Sequence, residues 1–486
     1  MKAHLFCAFS ILRGKMKVTL TNGFDNSYNN AIACAYSCYS PKIVTEEVVE
    51  KNPERRDSVA DSTFKANHFT VYQHAHFQFA IEGVSRQCIW SFLHNQKFYN
   101  SEQQSQRYVK MKREKVYTPP FVGNLDYDKF VSHIFSIYED LSKLLYPIAS
   151  EKYYSIFKAR KKHDNIYSKT IEKKCIESAR AILPTAMLSH LYHTVNLTTL
   201  HRLRMEAHKS QTPDESIPLI KEMCRLVEER HPGIFRIQYE DQDPIYSETD
   251  YSRALFAVFE PESKIVNFLP ISEEQLVFIA KNYDPSILSD DVYNSVMLDE
   301  DLLSTTGQLK NLVQYTFEKS TTHYTDSQEQ RHRELAQVRG KVRENARYSI
   351  PNIIQESTEA TNKFREGIDV IRQFIFEANR YEENKKYTQY LLPNAVEVNT
   401  LTSGNLFGYL NKWKMRLCLN AQEEAFDIAM QEIEQVKKIH PNLGQWIGAP
   451  CHIRKWKGIK PICPEGDRFC GIPVWKEDIT KVTRLL

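Results

Sequence analysis

No apolar run in these 486 residues approaches the length of a membrane-spanning helix, so a membrane partner is not expected. Long runs of one charge sign are missing too. With 64 basic against 61 acidic residues the formal charge is +3, too even a balance for a surface that binds nucleic acid. The 10 cysteines follow no small-domain framework, which points to reduced thiols and a cytoplasmic setting. The apolar stretch from His4 to Leu12 is short and no cleavage signature follows it, so folded structure is expected to begin at Met16, with Met16–Leu20 as a first strand. Aromatic residues, by contrast, are plentiful at 12%. They argue for packed globular domains, and the chain is long enough for two.

What the sequence does contain is a duplication. One copy reads Arg180-Ala181-Ile182-Leu183-Pro184, then Asn196, then His231-Pro232. The other reads Gln389-Tyr390-Leu391-Leu392-Pro393, then Asn405, then His440-Pro441. Each pair stands 209 residues apart, with no net insertion. An internal repeat fixes architecture before any finer reading. The expectation is an α/β (α+β type) protein of two similar domains, 16–240 and 250–486. Each should have a small mixed sheet and a long helix that carries the Leu-Pro to His-Pro segment. A junction is expected at the turn-rich Asp241-Gln242-Asp243-Pro244. Alternation in Phe77–Ile81 predicts a strand, followed by a helix around Ser85–Leu93, and a mostly helical region is expected over about 125–230. The copies have lost residues in complementary fashion. Arg180 aligns with Gln389, and Arg416 aligns with Ala207. Each copy keeps a cation the other lacks, which points to one site built from both.

Three segments carry chemistry. Arg331-His332-Arg333, following Gln328-Glu329-Gln330 at the end of an apparent helix, is a compact donor set suited to phosphate or a flavin edge, or else a solvated helix end. Ser105 and Arg107, if extended, project to one side as a phosphate clamp. A long helix after Thr402-Ser403, capped by a hydroxyl, would carry Asn405 and Arg416 on one face about 16 Å apart, with Asn420 joining them. That stripe suits an elongated polar ligand or is simply the wet side of the helix. In the tail, Cys451-His452, Cys463 and Cys470 have the ligand types of a zinc site. Their intervals of 11 and 6 intervening residues are unlike tight Cys-x-x-Cys pairs, and no metal is expected.

In their order, these segments resemble the flavin-dependent thymidylate synthase family. Its signature is Arg-His-Arg, then Ser-x-Arg-Tyr, then Arg-x-x-Leu-Pro, two Asn, Arg and Ala-Gln-x-Glu. Here stand Arg331-His332-Arg333, Ser105-Gln106-Arg107-Tyr108, Arg180 to Pro184, Asn405, Asn411, Arg416 and Ala421-Gln422-Glu423-Glu424. His68 to His74 looks like the family's histidine-rich lead-in to a strand. The resemblance implies reductive methylation of deoxyuridylate, with FAD, NADPH as reductant and methylenetetrahydrofolate as carbon donor. It implies Arg180 and Arg416 as catalytic cations, and Ser105, Arg107 and Gln328 on the nucleotide. It also implies Arg331, His332, Arg333, Asn405 and Asn411 at the flavin, with His68 facing it. A homodimer would mimic the family tetramer, and its partners would be the small molecules deoxyuridylate and folate. The chain departs from the pattern in that neither copy holds both Arg-His-Arg and Ser-x-Arg-Tyr. The second copy has Asn345-Ala346-Arg347-Tyr348, with no serine two residues before Arg347. A catalytically silent nucleotide- or flavin-binding relative, acting as scaffold or sensor, is the alternative.

Overall fold

The computed structural model describes residues 16–209, 212–235, 251, 253–266, 271–287, 292–340, 342 and 346–484. Residues 1–15, the expected junction at Asp241–Pro244 and Asn345 lie outside the described residues. Two four-stranded sheets are present among the described residues. The first contains β1 (Lys17–Gly23), β2 (His76–Ser85), β3 (Tyr99–Gln103) and β4 (Leu188–Asn196) in the order β1-β2-β4-β3. The second contains β5 (Glu262–Ile265), β6 (Gln314–Thr322), β7 (Ala336–Arg339) and β8 (Glu397–Asn405) in the order β5-β6-β8-β7. The same strand order recurs, so the chain has two sheet-and-helix domains of one topology.

Two expectations need correction. Every pairing between these strands is antiparallel, where a mixed sheet was expected. The helical excursion before β4 returns the chain between β2 and β3 in the opposite sense, and the second copy repeats this with β8. The region 125–230 is mostly helical, as expected, but β4 runs through it. The Leu-Pro to His-Pro segment is therefore a strand followed by two helices, Leu197–Glu206 and Ser216–Arg230 in the first copy. Buried Leu191, His193 and Val195 alternate along β4, a period of two that holds a strand. Asn196 then ends it by accepting the Thr199 amide, 2.8 Å, as a helix cap.

Asn405 does the same for Gly408, at 3.0 Å. A third correction follows: Asn405 caps the helix Leu406–Arg416, while Ser403 still lies in β8. The helix stops at Arg416, so Asn420 is not on its face. Asn420 instead donates to the Arg468 carbonyl, 2.7 Å.

The compact units interleave the copies. Among the described residues, one comprises those within 16–135, 183–251 and 373–392, and the other those within 136–182, 253–372 and 393–484. In the first, Phe77, Phe79, Ile81, Leu203 and Met223 contribute to the core; in the second, Tyr315, Phe317, Tyr409 and Trp413 do so.

A buried acid recurs at the 209-residue offset. Glu215 accepts the Ser85 amide at 3.2 Å and also the Ser85 hydroxyl. Glu424 accepts the Thr322 amide at 2.7 Å and the Thr322 hydroxyl at 2.6 Å. Each acid clamps the point where β2 or β6 turns into its helix. Burial pushes Glu215 up to about 8 and Glu424 up to about 7. A carboxyl raised in the folded state binds a proton there that the unfolded chain has already released. Its contribution to stability is thus full below the ordinary carboxylate range and falls as pH rises toward the folded value. Relative to a Glu215→Gln/Glu424→Gln variant, the wild-type urea midpoint should fall progressively from pH 5 to pH 8. Parallel profiles for the two proteins would contradict the assignment.

Candidate functional site

The second unit holds the candidate site, built on the short helix His323–Glu329 at the end of β6. Thr322 starts it in extended backbone and is tied to Glu424. Three side chains of this helix face different partners.

Tyr324 lies under Arg180, whose guanidinium carbon is 5.2 Å from the ring centroid, a cation–π contact. Arg180 closes the helix Asp164–Ala179, is 3% exposed, and donates from Nε to the Glu177 carbonyl at 3.0 Å. Its backbone carbonyl accepts Asn394 Nδ2 at 2.9 Å. Gln328, one turn on from Tyr324, offers its backbone carbonyl to the Arg416 guanidinium at 2.6 Å. Gln328 Nε2 donates to Gln422 Oε1, 3.2 Å, and to the Tyr324 carbonyl, 3.1 Å. Gln422 is itself the cap of the helix Glu423–Ile439 and accepts Thr325 Oγ1 at 2.9 Å. Glu329, the third, carries a carboxylate 3.5 Å from Arg416 Nε.

Arg180 and Arg416 thus each contact this one helix, at Tyr324 and Gln328 respectively. The two cations are anchored on residues four apart in one helix, a rise of about 6 Å. Both are held off bulk water, where a guanidinium keeps its charge and acts strongly on an anion.

The Arg331-His332-Arg333 turn follows directly. Arg331 and Arg333 are exposed, whereas His332 is half-buried. Burial, reinforced by the Arg416 cation, pushes the His332 imidazole down to about 3. The side chain of Asn411 donates to Glu334 at 2.9 Å, and that of Asn405 to Asn311 at 2.8 Å, besides its capping role. Arg347 is bound to Glu397, with Nε donating at 2.9 Å.

Other expected residues lie in the first unit. Ser105 and Arg107 are not extended: β3 ends at Gln103, and Ser105 Oγ accepts the Arg107 amide at 3.2 Å, curling the chain into a turn. Arg107 lies 5.4 Å from the Tyr108 ring. His68 is exposed in the turn after the helix Pro53–Lys65. In the tail, His452 is hydrogen-bonded to the Glu477 carbonyl at 2.9 Å. Cys418, Cys451, Cys463 and Cys470 line one small cavity, and burial pushes Cys451 up to about 12. Among the described residues no group of three or more His, Cys, Asp or Glu could hold a metal ion.

Sequence reasoning gave no role to Tyr324, Gln422 or Glu329. Gln422 was visible inside the Ala-Gln-x-Glu motif. Tyr324 and Glu329 had no signal of their own. The neutral state of His332 is open to test. Its NMR titration should show no protonation between pH 5 and 8, and Arg416→Ala should move the midpoint upward by removing a repelling cation. A wild-type midpoint near 6.5 would contradict the burial argument.

The family model described as thymidylate synthase complementing protein matches residues 19–233 and 295–442. A flavin-dependent thymidylate synthase of Clostridium tetani is 29% identical over 232 residues, 46% of this chain and 88% of that protein. One from Sulfurisphaera tokodaii is 39% identical over 67 residues, 14% of this chain and 26% of the relative. One from Mycobacterium tuberculosis is 31% identical over 129 residues, 26% of this chain and 48% of the relative. The chain thus spans most of the clostridial protein but about half or less of the other two. Among the described residues no helix is long and apolar enough to cross a membrane.

Proposed function

This chain belongs to the thymidylate synthase complementing protein family, and we propose that it is a flavin-dependent thymidylate synthase whose nucleotide site is centred on Arg180, Gln328 and Arg416. The reaction is the reductive methylation of deoxyuridylate, with methylenetetrahydrofolate as carbon donor, NADPH as reductant and FAD as cofactor. The single observation that carries this reading is the suspension of Arg180 and Arg416, one cation from each copy, from adjacent turns of the helix His323–Glu329.

Each residue has a physical task. Arg180 and Arg416 stay charged at any relevant pH and stabilise negative charge on the pyrimidine ring and its phosphate. Gln328, its amide tied to Gln422 and to the Tyr324 carbonyl, presents a fixed edge to the base. Ser105 and Arg107 are proposed for the phosphate, and a homodimer is the proposed assembly that completes the sites. The exposed Arg331 and Arg333 beside a neutral His332 fit the phosphates and electron-rich edge of FAD. Asn411 would join them by exchanging Glu334 for the cofactor, Asn405 is placed at the same flavin site, and His68 is proposed to face it. The flavin, when bound, supplies the reducing equivalents; the protein supplies orientation and charge. The cysteines described are free thiols, which supports a reducing, cytoplasmic setting.

A buried charge-assisted hydrogen bond is worth about 1.5–3 kcal/mol. Arg180→Ala and Arg416→Ala should therefore each reduce deoxyuridylate methylation by tens-fold or more while leaving the melting temperature within a few degrees. Arg331→Ala should release FAD, read as loss of the flavin absorbance band after gel filtration. Wild-type turnover in either of the first two variants would sink the reading.

A further inference from the structure

Beneath Arg416 lies a lattice of four buried charges. Lys319 Nζ is 3.0 Å from Glu329 Oε2 and 3.1 Å from Glu432 Oε1. Lys412 Nζ is 2.6 Å from Glu329 Oε2 and 2.7 Å from Glu432 Oε1. Trp413 Nε1 donates to Glu432 Oε2 at 2.7 Å. All four charged residues are at most 3% exposed. Taking such ions out of water is costly, and replacing them with apolar residues of similar volume is often neutral or stabilising.

The duplication supplies the control inside the same chain. Lys412 and Glu432 correspond, at the 209-residue offset, to Leu203 and Met223. Lys319 pairs with Thr400 as Ile81 pairs with Leu191, and Thr400 and Leu191 stand at that same offset. Glu329 lies seven residues beyond Thr322, as Phe92 lies beyond Ser85. The first copy thus fills the four positions with Ile81, Phe92, Leu203 and Met223, each at most 2% exposed. One topology is built with an apolar quartet in one copy and an ionic quartet in the other. The copy with the ionic quartet is the one that keeps Arg416, where the first has Ala207.

We propose that the Lys319–Glu329–Lys412–Glu432 lattice is a positioning device that fixes the Arg416 guanidinium, through Glu329, to receive an anionic nucleotide. The inference rests on the reading of Arg416 as a nucleotide residue. A lone carboxylate beside Arg416 would orient it but cancel the charge the ligand needs. Two lysines against two glutamates make the lattice neutral, so Arg416 is held and its net positive charge survives. Burial alone would raise the Glu329 carboxyl, but Lys412 and Lys319, with His332 and Arg416, hold it well below the usual carboxylate range.

The test transplants the first copy's residues: Lys319→Ile, Glu329→Phe, Lys412→Leu and Glu432→Met together, in wild-type and Arg416→Ala backgrounds. Calorimetry reads the Kd for deoxyuridine monophosphate and scanning calorimetry reads Tm. The four-residue exchange should hold or raise Tm yet weaken binding about tenfold or more, with no further loss once Arg416 is alanine. Glu329→Gln, of the same shape, should show the same dependence on Arg416. An exchange variant that fails to fold would show that the fold requires the charges and overturn the proposal. So would wild-type Kd in Glu329→Gln, or an added loss in the Arg416→Ala background. If Arg416→Ala alone leaves Kd unchanged, the nucleotide reading itself falls, and this inference with it.

Discussion

The clamp between Glu424 and Thr322 is the constraint on which the second unit's site depends. It fixes the point where β6 ends and the helix His323–Glu329 begins, with both carboxylate oxygens engaged on one residue. Three contacts then hang from fewer than two turns of helix. Tyr324 seats Arg180, the Gln328 carbonyl seats Arg416, and Glu329 reaches into the charge lattice. A helix this short has little stability of its own. Its position comes from the clamp at its start, from Gln422 bonded to Thr325 and Gln328 along its side, and from the buried ions at its end.

Several parts of this arrangement were legible in the sequence for physical reasons. The Asn and His-Pro columns recur because each does the same structural job twice. Both asparagines cap the helix after a central strand, and both histidines are buried. Arg180 and Arg416 stood out because each was kept in only one copy. Their approach to one helix was not readable, since it requires residues 136–182 of the first copy to pack within the second unit.

Other parts were hidden by the ordinary meaning of charge. Lys412 and Glu432 lie on amphipathic helices, where lysine and glutamate normally mark the wet face, yet both are fully buried. Only the comparison with Leu203 and Met223 exposes them as unusual. Asn405 was expected on the face of the helix after Ser403, whereas it stands at that helix's start, its side-chain oxygen accepting the Gly408 amide. Ser105 behaves similarly, because a hydroxyl two residues before an amide favours a turn over the extended clamp that alternation suggested.

The central claim is that one site draws a cation from each copy. A double-mutant cycle on deoxyuridine monophosphate binding, with Arg180→Ala, Arg416→Ala and the pair, tests it most directly. Residues that share a ligand couple, typically by about 0.5–3 kcal/mol, whereas distant, independent sites add. The account predicts that both single variants weaken the same binding isotherm and that the pair departs from additivity by at least about 0.5 kcal/mol. Strict additivity, or an isotherm untouched by one of the two, would contradict it.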